Sequence, residues 1–351
     1  MSTFFNQLEP QNLVEAFLKH PPYDFELNLS AQIPCFYMSF NLLTTLDGSA
    51  RKKIQSLYAY TQWEKILHFP TCFIGTTVSE YTPLLSKMSP EKAVETFKIL
   101  GKKQRLTIIK DLPIQSPLLS QAENDYSAAL IKAAQQQDFF VVQGQALAYV
   151  HLDFSHRDDY LARFSKQRRK NLKRKLKSLA NLRVECLKTG ATVFDDFSFR
   201  QQLYALYFAV YQQSEIHFDL LTAEFFDEIL QDSQSGGCVF CYWDQDILVG
   251  YNICYQYGDK LIDKYIGMNY PLAKEHNLYF ISWFVNLDYA LQHQLKYYVA
   301  GWTDPEVKAQ LGAQFTFTQH LVWIRSPILN TLLRPLKHLF EADLHWQQQK
   351  N

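Results

Sequence analysis

Between Lys296 and Phe317 the chain reads KYYVAGWTDPEVKAQLGAQFTF, so Trp302, Asp304, Glu306 and Lys308 fall within seven residues. A β-rich run, Tyr297 to Val299, stops at Ala300-Gly301. A short helix follows, Gly312 closes it, and a new strand-like run begins. Two carboxylates, a lysine and an indole beside a strand end are more than structural economy requires. Strand ends that feed helices are where open α/β sheets place ligand chemistry.

Two further groups belong to this region. His276 lies in Tyr270 to Asn277, where a strand runs into a helix. Backbone N–H groups at that helix start, with Lys274 and Asn277, suit an anion. Glu275 or His276 suits a general base or a substrate-orienting group, and ordinary helix capping accounts for them equally well. In the strand before it, strict alternation puts Asp263 and Tyr265 on one face and Lys264 on the other. A charge inside so apolar a meander needs a partner, and Asp263 is expected to pair with Lys308 or Arg168. A simple strand-edge pair is the alternative.

The strongest local charge signal is YLARFSKQRRKNLKRKLKSL, from Tyr160. Arg163 to Lys177 holds nine Lys/Arg and no acid, which leaves 26 basic against 35 acidic residues elsewhere. On one helical wheel Leu161, Phe164, Leu172, Leu176 and Leu179 form an apolar face with Arg168 near its middle. A guanidinium there must meet an acid, a carbonyl or a ligand phosphate. The other bases, Arg169 among them, are either a solvated helix face or a contact for an anionic cofactor, tRNA or an anionic membrane.

These segments sit in a chain of 351 residues, 47% hydrophobic and 20% charged, with zero formal net charge. That describes an ordinary globular protein. The N-terminus lacks the basic and apolar regions of a signal peptide. No apolar run approaches the roughly 18 residues needed to span a bilayer. A cytoplasmic location is expected, and the six cysteines, mostly in apolar strand-like contexts, fit it. Cys238 and Cys241 form C-x-x-C, but in an extended run they face opposite sides, so no metal site is expected. There is no Walker A, G-x-G-x-x-G, G-x-S-x-G or H-E-x-x-H motif.

The elements that must position these groups read as α/β with mixed sheets. In the first half, expected helices at 11–18, 51–69 and 90–100 precede a strand at 106–109, which Lys110 to Pro113 should end. A helix at 120–137 and β structure at 139–152 follow. In the second half, helices at 199–213 and 222–231 lead into a meander at 238–268. A long helix at 274–294, a strand, the short helix and a last strand at 315–324 complete it. Residues 328–340 read as an amphipathic helix kinked at Pro335, packed on the body or lying on a membrane surface. Two related units are expected, 1–155 and 156–351, the second opening with the basic helix at 156–190.

This order of elements resembles the GNAT acyltransferase fold, and two such units joined by a basic helical region resemble the Fem-type peptidyltransferases. The matching segments are Tyr160 to Leu176, Leu278 to Trp283, Gly301 to Gly312, the GTTVSEY run from Gly75 and IIKDLP from Ile108. The resemblance covers residues 30 to 330. It implies an N-acyltransferase passing an acyl or aminoacyl group from acyl-CoA or aminoacyl-tRNA to a small-molecule or peptide amine, with no tightly bound cofactor. Lys308 would stabilise charge or meet donor phosphate, Asp304 or Glu306 would bind the amine, and His276 would be the base. Arg168, Arg169, Lys274 and Asn277 would hold the donor, and Trp302, Asp263 and Tyr265 the substrate. The glycine-bearing pyrophosphate loop of GNAT proteins is missing from Asn269 to Asn277, a departure that favours the aminoacyl-tRNA donor of the Fem type. The alternative is a non-catalytic protein that binds anionic lipid or RNA through its basic helix.

Overall fold

The computed structural model describes residues 4–28, 32–45, 48–85, 87–214, 217–335, 337 and 341. Its strands are β1 (Glu26–Leu27), β2 (Cys35–Asn41), β3 (His68–Ile74), β4 (Leu106–Ile114), β5 (Phe140–His151), β6 (Arg183–Lys188), β7 (Gly237–Asp244), β8 (Ile247–Tyr257), β9 (Lys260–Met268), β10 (Tyr297–Gly301) and β11 (Gln314–Ile324). Its helices are α1 (Gln11–Lys19), α2 (Gly48–Gln55), α3 (Tyr60–Trp63), α4 (Pro90–Gly101), α5 (Gln121–Gln135), α6 (Arg157–Ala162), α7 (Lys166–Leu176), α8 (Phe197–Gln213), α9 (Ala223–Gln231), α10 (Leu272–Glu275), α11 (Leu278–Gln292), α12 (Pro305–Leu311) and α13 (Pro327–Leu333).

All eleven strands join one sheet in the order β1-β2-β3-β4-β11-β5-β10-β9-β8-β7-β6. The last strand of the chain lies between β4 and β5, antiparallel to both. β5 in turn pairs antiparallel with β10, which runs parallel to β9. The two halves of the sequence are therefore interlocked through the sheet. The groups that end β9 and β10 open beside segments that enter from β3 and β4.

Several local expectations change for identifiable reasons. β4 continues to Ile114 instead of stopping at Ile109. β3 pairs with it only as far as Ile109, so Pro113 sits where one edge is already open. Asp111 there has φ +51°, and the register against β11 slips around it. The basic segment is two helices, not one. Ser165 accepts from the Arg168 backbone N–H and starts α7 afresh. The long helix before β10 is likewise broken, because Asn277 adopts φ +57° between α10 and α11. The stretch 51–69 ends as short turns and strand β3. Cys238 and Cys241 do face opposite sides, packing into two different cores. The expected helix at 328–340 is described as α13 only, and most residues past Pro335 lie outside the described set.

Alternation fails at Lys264. Ile253 pairs with Tyr265 and Cys254 with Asp263, which leaves Lys264 as the extra residue of a β-bulge. Asp263 consequently points toward α11, and Tyr265 packs its ring on Phe225 and Phe226 of α9. The two do not share a face, contrary to the simple strand pattern.

Candidate active site

Pro305 starts α12 at a position where a missing N–H costs nothing, and Gly312 ends it with φ +94°. A Cβ at Gly312 would lie 2.6 Å from the Tyr160 hydroxyl and 2.7 Å from the Phe164 ring. Tyr160 donates from its hydroxyl to the Leu311 carbonyl, and Arg168 Nη2 donates to the Ala309 carbonyl at 2.6 Å. The Arg168 guanidinium also stacks 4.5 Å from the Phe164 ring centroid. The first and third of the matching segments thus meet. Tyr160 and Arg168 satisfy carbonyls in the last turn of the helix that carries Lys308, where a cation is also favoured by the helix dipole. Of the partners expected for Arg168, the structure supplies a carbonyl, and its Nε is buried without a partner among the described residues.

Lys308 is 5% exposed. Its Nζ makes no ion pair or hydrogen bond among the described residues, and burial pushes its pKa down to about 8 against the attraction of Asp263, Asp304 and Glu80. Gly301, at φ +78°, closes β10 so that a Cβ on it would stand 3.9 Å from Lys308 Nζ. A side chain at residue 301 would therefore stand in van der Waals contact with the ammonium.

Asp263 is held by neutral donors. It accepts from Asn286 Nδ2 at 2.8 Å, the Tyr298 hydroxyl at 3.0 Å and Asn252 Nδ2 at 3.3 Å. Asn252 in turn accepts from the Tyr242 hydroxyl at 2.8 Å. Burial raises the Asp263 pKa, and Tyr298 and Lys308 act to lower it. No direct contact joins Asp263 to Lys308 or to Arg168; the first pair acts through space only. Tyr279, its hydroxyl buried and unpartnered, lies within the field of Asp304 and Asp263.

The other sequence candidates divide. Trp302 is half-buried and meets Tyr81 edge-on at 6.4 Å. Asp304, with φ +54°, stands exposed before α12 and acts on Lys308, whereas Glu306 is exposed two residues away on the opposite side of the helix. His276 Nε2 lies 2.9 Å from the Asp244 carboxylate. Lys274 is exposed, and Asn277 reaches Ser178 Oγ at 3.4 Å. Among the described residues no hydrogen bond or ion pair joins that corner to Lys308. Arg169 is half-buried on α7 with no ion-pair partner among the described residues.

A second buried group was missed by sequence reasoning. Lys264 Nζ bonds Glu80 Oε1 at 2.6 Å and Glu9 Oε1 at 3.4 Å, and the Glu80 backbone N–H donates to Glu9 Oε1 at 2.6 Å. Burial raises Glu9 to about 7, with Lys264 opposing and Glu80 adding to the rise. Burial also works against the charge of Lys264, but Glu80 and Glu9 outweigh it and its pKa rises. Next to this group Lys110 pairs with Asp111 and donates to the Thr76 carbonyl at 3.2 Å, and the Asp111 backbone N–H donates to His320 Nδ1 at 3.0 Å. The available signal was the GTTVSEY and IIKDLP segments, which supply Thr76, Glu80, Lys110 and Asp111.

A family model for FemAB-like proteins, described as peptidoglycan biosynthesis/recognition, matches residues 80–348. The chain belongs to the FemAB-like family. Among solved structures the FemAB-like chain is similar to the C-terminal DUF2156 domain of a candidate lysylphosphatidylglycerol synthetase from Agrobacterium fabrum. That match has 11% identity, covers 92% of this chain and 88% of that one, and has a TM-score of 0.56. It is similar to L-PGS from Bacillus licheniformis at 7% identity, covering 95% and 98% of the two chains with a TM-score of 0.54. FemX matches at 10% identity over 94% and 96%, with a TM-score of 0.54. No curated protein matches the chain. The fold is the mixed α/β, tandem GNAT-like fold of FemX. Among the described residues no helix is long and apolar enough to cross a membrane.

Proposed function

We propose that this FemAB-like chain is an N-acyltransferase that passes an acyl or aminoacyl group to an amine, with Lys308 at the centre of the chemistry. The supporting observation is an unpaired, 5% exposed lysine at a strand end, carried on a helix braced by Tyr160 and Arg168. The amine nitrogen attacks the activated carbonyl carbon, the carbonyl oxygen gains negative charge, and the donor oxygen or sulfur leaves with a proton. A buried ammonium aimed at that oxygen stabilises the charge far better than an exposed one. With a pKa of about 8, Lys308 is charged at neutral pH.

In this reading the halves 1–155 and 156–351 act as two GNAT-like units. Asp304 is the candidate for orienting the amine; Glu306 is exposed and faces away from Lys308. His276, engaged by Asp244, is a less direct base than the half-buried Asp263 and the exposed Asp304, the two carboxylates whose charge acts on Lys308. The donor is an aminoacyl-tRNA or acyl-CoA whose phosphates meet α7 and its C-terminal end, where Lys166, Arg169, Lys170 and, just past the helix, Lys177 have no ion-pair partner among the described residues. The absent glycine loop at 269–277 favours aminoacyl-tRNA, as does the likeness to a candidate synthetase named for an aminoacylated product. The setting is cytoplasmic, with α7 also available to an anionic membrane. The test is single-turnover transfer from aminoacyl-tRNA and from acyl-CoA to amine acceptors. Lys308→Ala should abolish transfer with the melting temperature kept, and wild-type turnover in that variant would sink the assignment.

A further inference from the structure

Glu9 comes from the segment before α1, Glu80 from the loop after β3, and Lys264 from the β9 bulge. Glu9 is 0% and Glu80 2% exposed, yet only one oxygen of each is satisfied. Glu9 Oε2 and Glu80 Oε2 have no partner among the described residues. The residue that follows Lys264 in β9 is also unpartnered among the described residues. Tyr265, 9% exposed, has a buried hydroxyl with no hydrogen bond, and it lies within the field of Glu9 and Asp219. One lysine serves two carboxyl groups, and each keeps a buried oxygen that no donor among the described residues meets. The unsatisfied atoms are two carboxylate oxygens and a phenol oxygen, all able to accept. They match a group that carries only donors, and a primary ammonium with its three N–H bonds is such a group.

We propose that Glu9, Glu80 and Tyr265 form a subsite for a primary ammonium group of the substrate. The proposal rests on the acyl-transfer reading in one respect: the ammonium belongs either to the amine acceptor or to the α-amino group of an aminoacyl donor. Glu80 connects the subsite to the chemistry, since its charge also acts on Lys308. Lys264 is the positioning residue that holds Glu80 and Glu9 together across the two halves of the sheet.

Calorimetric titration of the full chain tests this with two charged probes, cadaverine as acceptor mimic and L-alaninamide as donor mimic. N,N′-Diacetylcadaverine and N-acetyl-L-alaninamide serve as uncharged controls. A charged probe should bind and its acetylated form should not. Glu9→Gln and Glu80→Gln should each weaken binding roughly tenfold, the scale of a lost charge-assisted hydrogen bond. Glu80→Gln also weakens the hold on Lys264, so Tyr265→Phe is the safer variant. It should weaken binding a few-fold while keeping the melting temperature, because that hydroxyl has no internal partner to lose. Binding of cadaverine alone assigns the subsite to the acceptor, and binding of alaninamide alone to the donor. No binding of either probe at millimolar concentration, or equal binding in Tyr265→Phe and Glu9→Gln, overturns the subsite. The transfer reading fails separately, if ammonium binds through these groups but no donor yields product.

Discussion

Arg168 donates to the carbonyl of Ala309, the residue that follows Lys308, at 2.6 Å. The strongest basic segment of the chain therefore reaches the candidate site by bracing a helix end, not only by offering charge to solvent. Arg168→Ala should cost about 2 kcal/mol, as expected for a partly buried hydrogen bond from a charged donor. Transfer should fall further than stability does, because α12 then holds Lys308 less firmly. Arg168→Lys should recover part of the stability but not the stacking on Phe164. Denaturant unfolding and single-turnover rates on the same samples check this; equal losses in both variants of stability alone would detach Arg168 from the chemistry.

Lys308 gives a pH prediction of definite sign. Its folded pKa is about 8 against an ordinary 10.5, so the folded state holds fewer protons than the unfolded chain between those values. Stability should therefore rise with pH from about 8 to 10.5, relative to a Lys308→Met variant that lacks the titration. Transfer should run the other way, falling as pH passes about 8 and the ammonium loses its charge. Thermal melts of both proteins across this range, set beside the wild-type rate profile, measure the two arms. Parallel rather than opposed trends would show that Lys308 does not act as a cation.

Glu9 has the opposite linkage. Its carboxyl is raised from 4.5 to about 7, so the folded state keeps a proton that the unfolded chain releases. Stability attributable to Glu9 should be present below pH 4.5 and be lost as pH rises to about 7. Glu9→Gln removes that loss, and its advantage over wild type should grow from pH 5 to pH 8 by on the order of 2 kcal/mol. Chemical denaturation at the two pH values gives the comparison. A constant difference would mean that Lys264 keeps Glu9 ionised throughout.

The legible and illegible parts of the site differ in how the chain brings residues together. Lys308, Gly301 and Gly312 lie in one short segment whose glycines mark its turns, so their grouping could be read locally. Glu9 and Lys264 are 255 residues apart, and their contact exists only because β11 enters between β4 and β5 and ties the halves into one sheet. Nothing in the composition of either segment encodes that order. The face of Tyr265 was misread for a smaller reason, since one extra residue in β9 reverses the alternation on which strand patterns depend. His276 looked chemical because of its neighbours in sequence, whereas its spatial neighbour is Asp244 of β7.

Gly301 and Gly312 separate fold from function. Both have positive φ, so alanine at either is strained by about 1 kcal/mol or more. At Gly312 the new methyl would also meet the Tyr160 hydroxyl at 2.6 Å and the Phe164 ring at 2.7 Å, so the α6–α12 contact must shift. At Gly301 the nearest atoms are the Asp263 carbonyl oxygen at 3.7 Å and Lys308 Nζ at 3.9 Å, both ordinary contacts. Gly301→Ala should then lose only the backbone strain in stability while placing a methyl against the ammonium, where a reacting carbonyl oxygen has to come. Gly312→Ala should lose roughly 2–3 kcal/mol, strain and overpacking together. Unfolding curves and transfer rates for the pair decide it. The expected result is a small stability loss with a large rate loss for Gly301→Ala, and a large loss of both for Gly312→Ala. A Gly301→Ala enzyme with full activity would place the reacting carbonyl oxygen elsewhere than over Lys308.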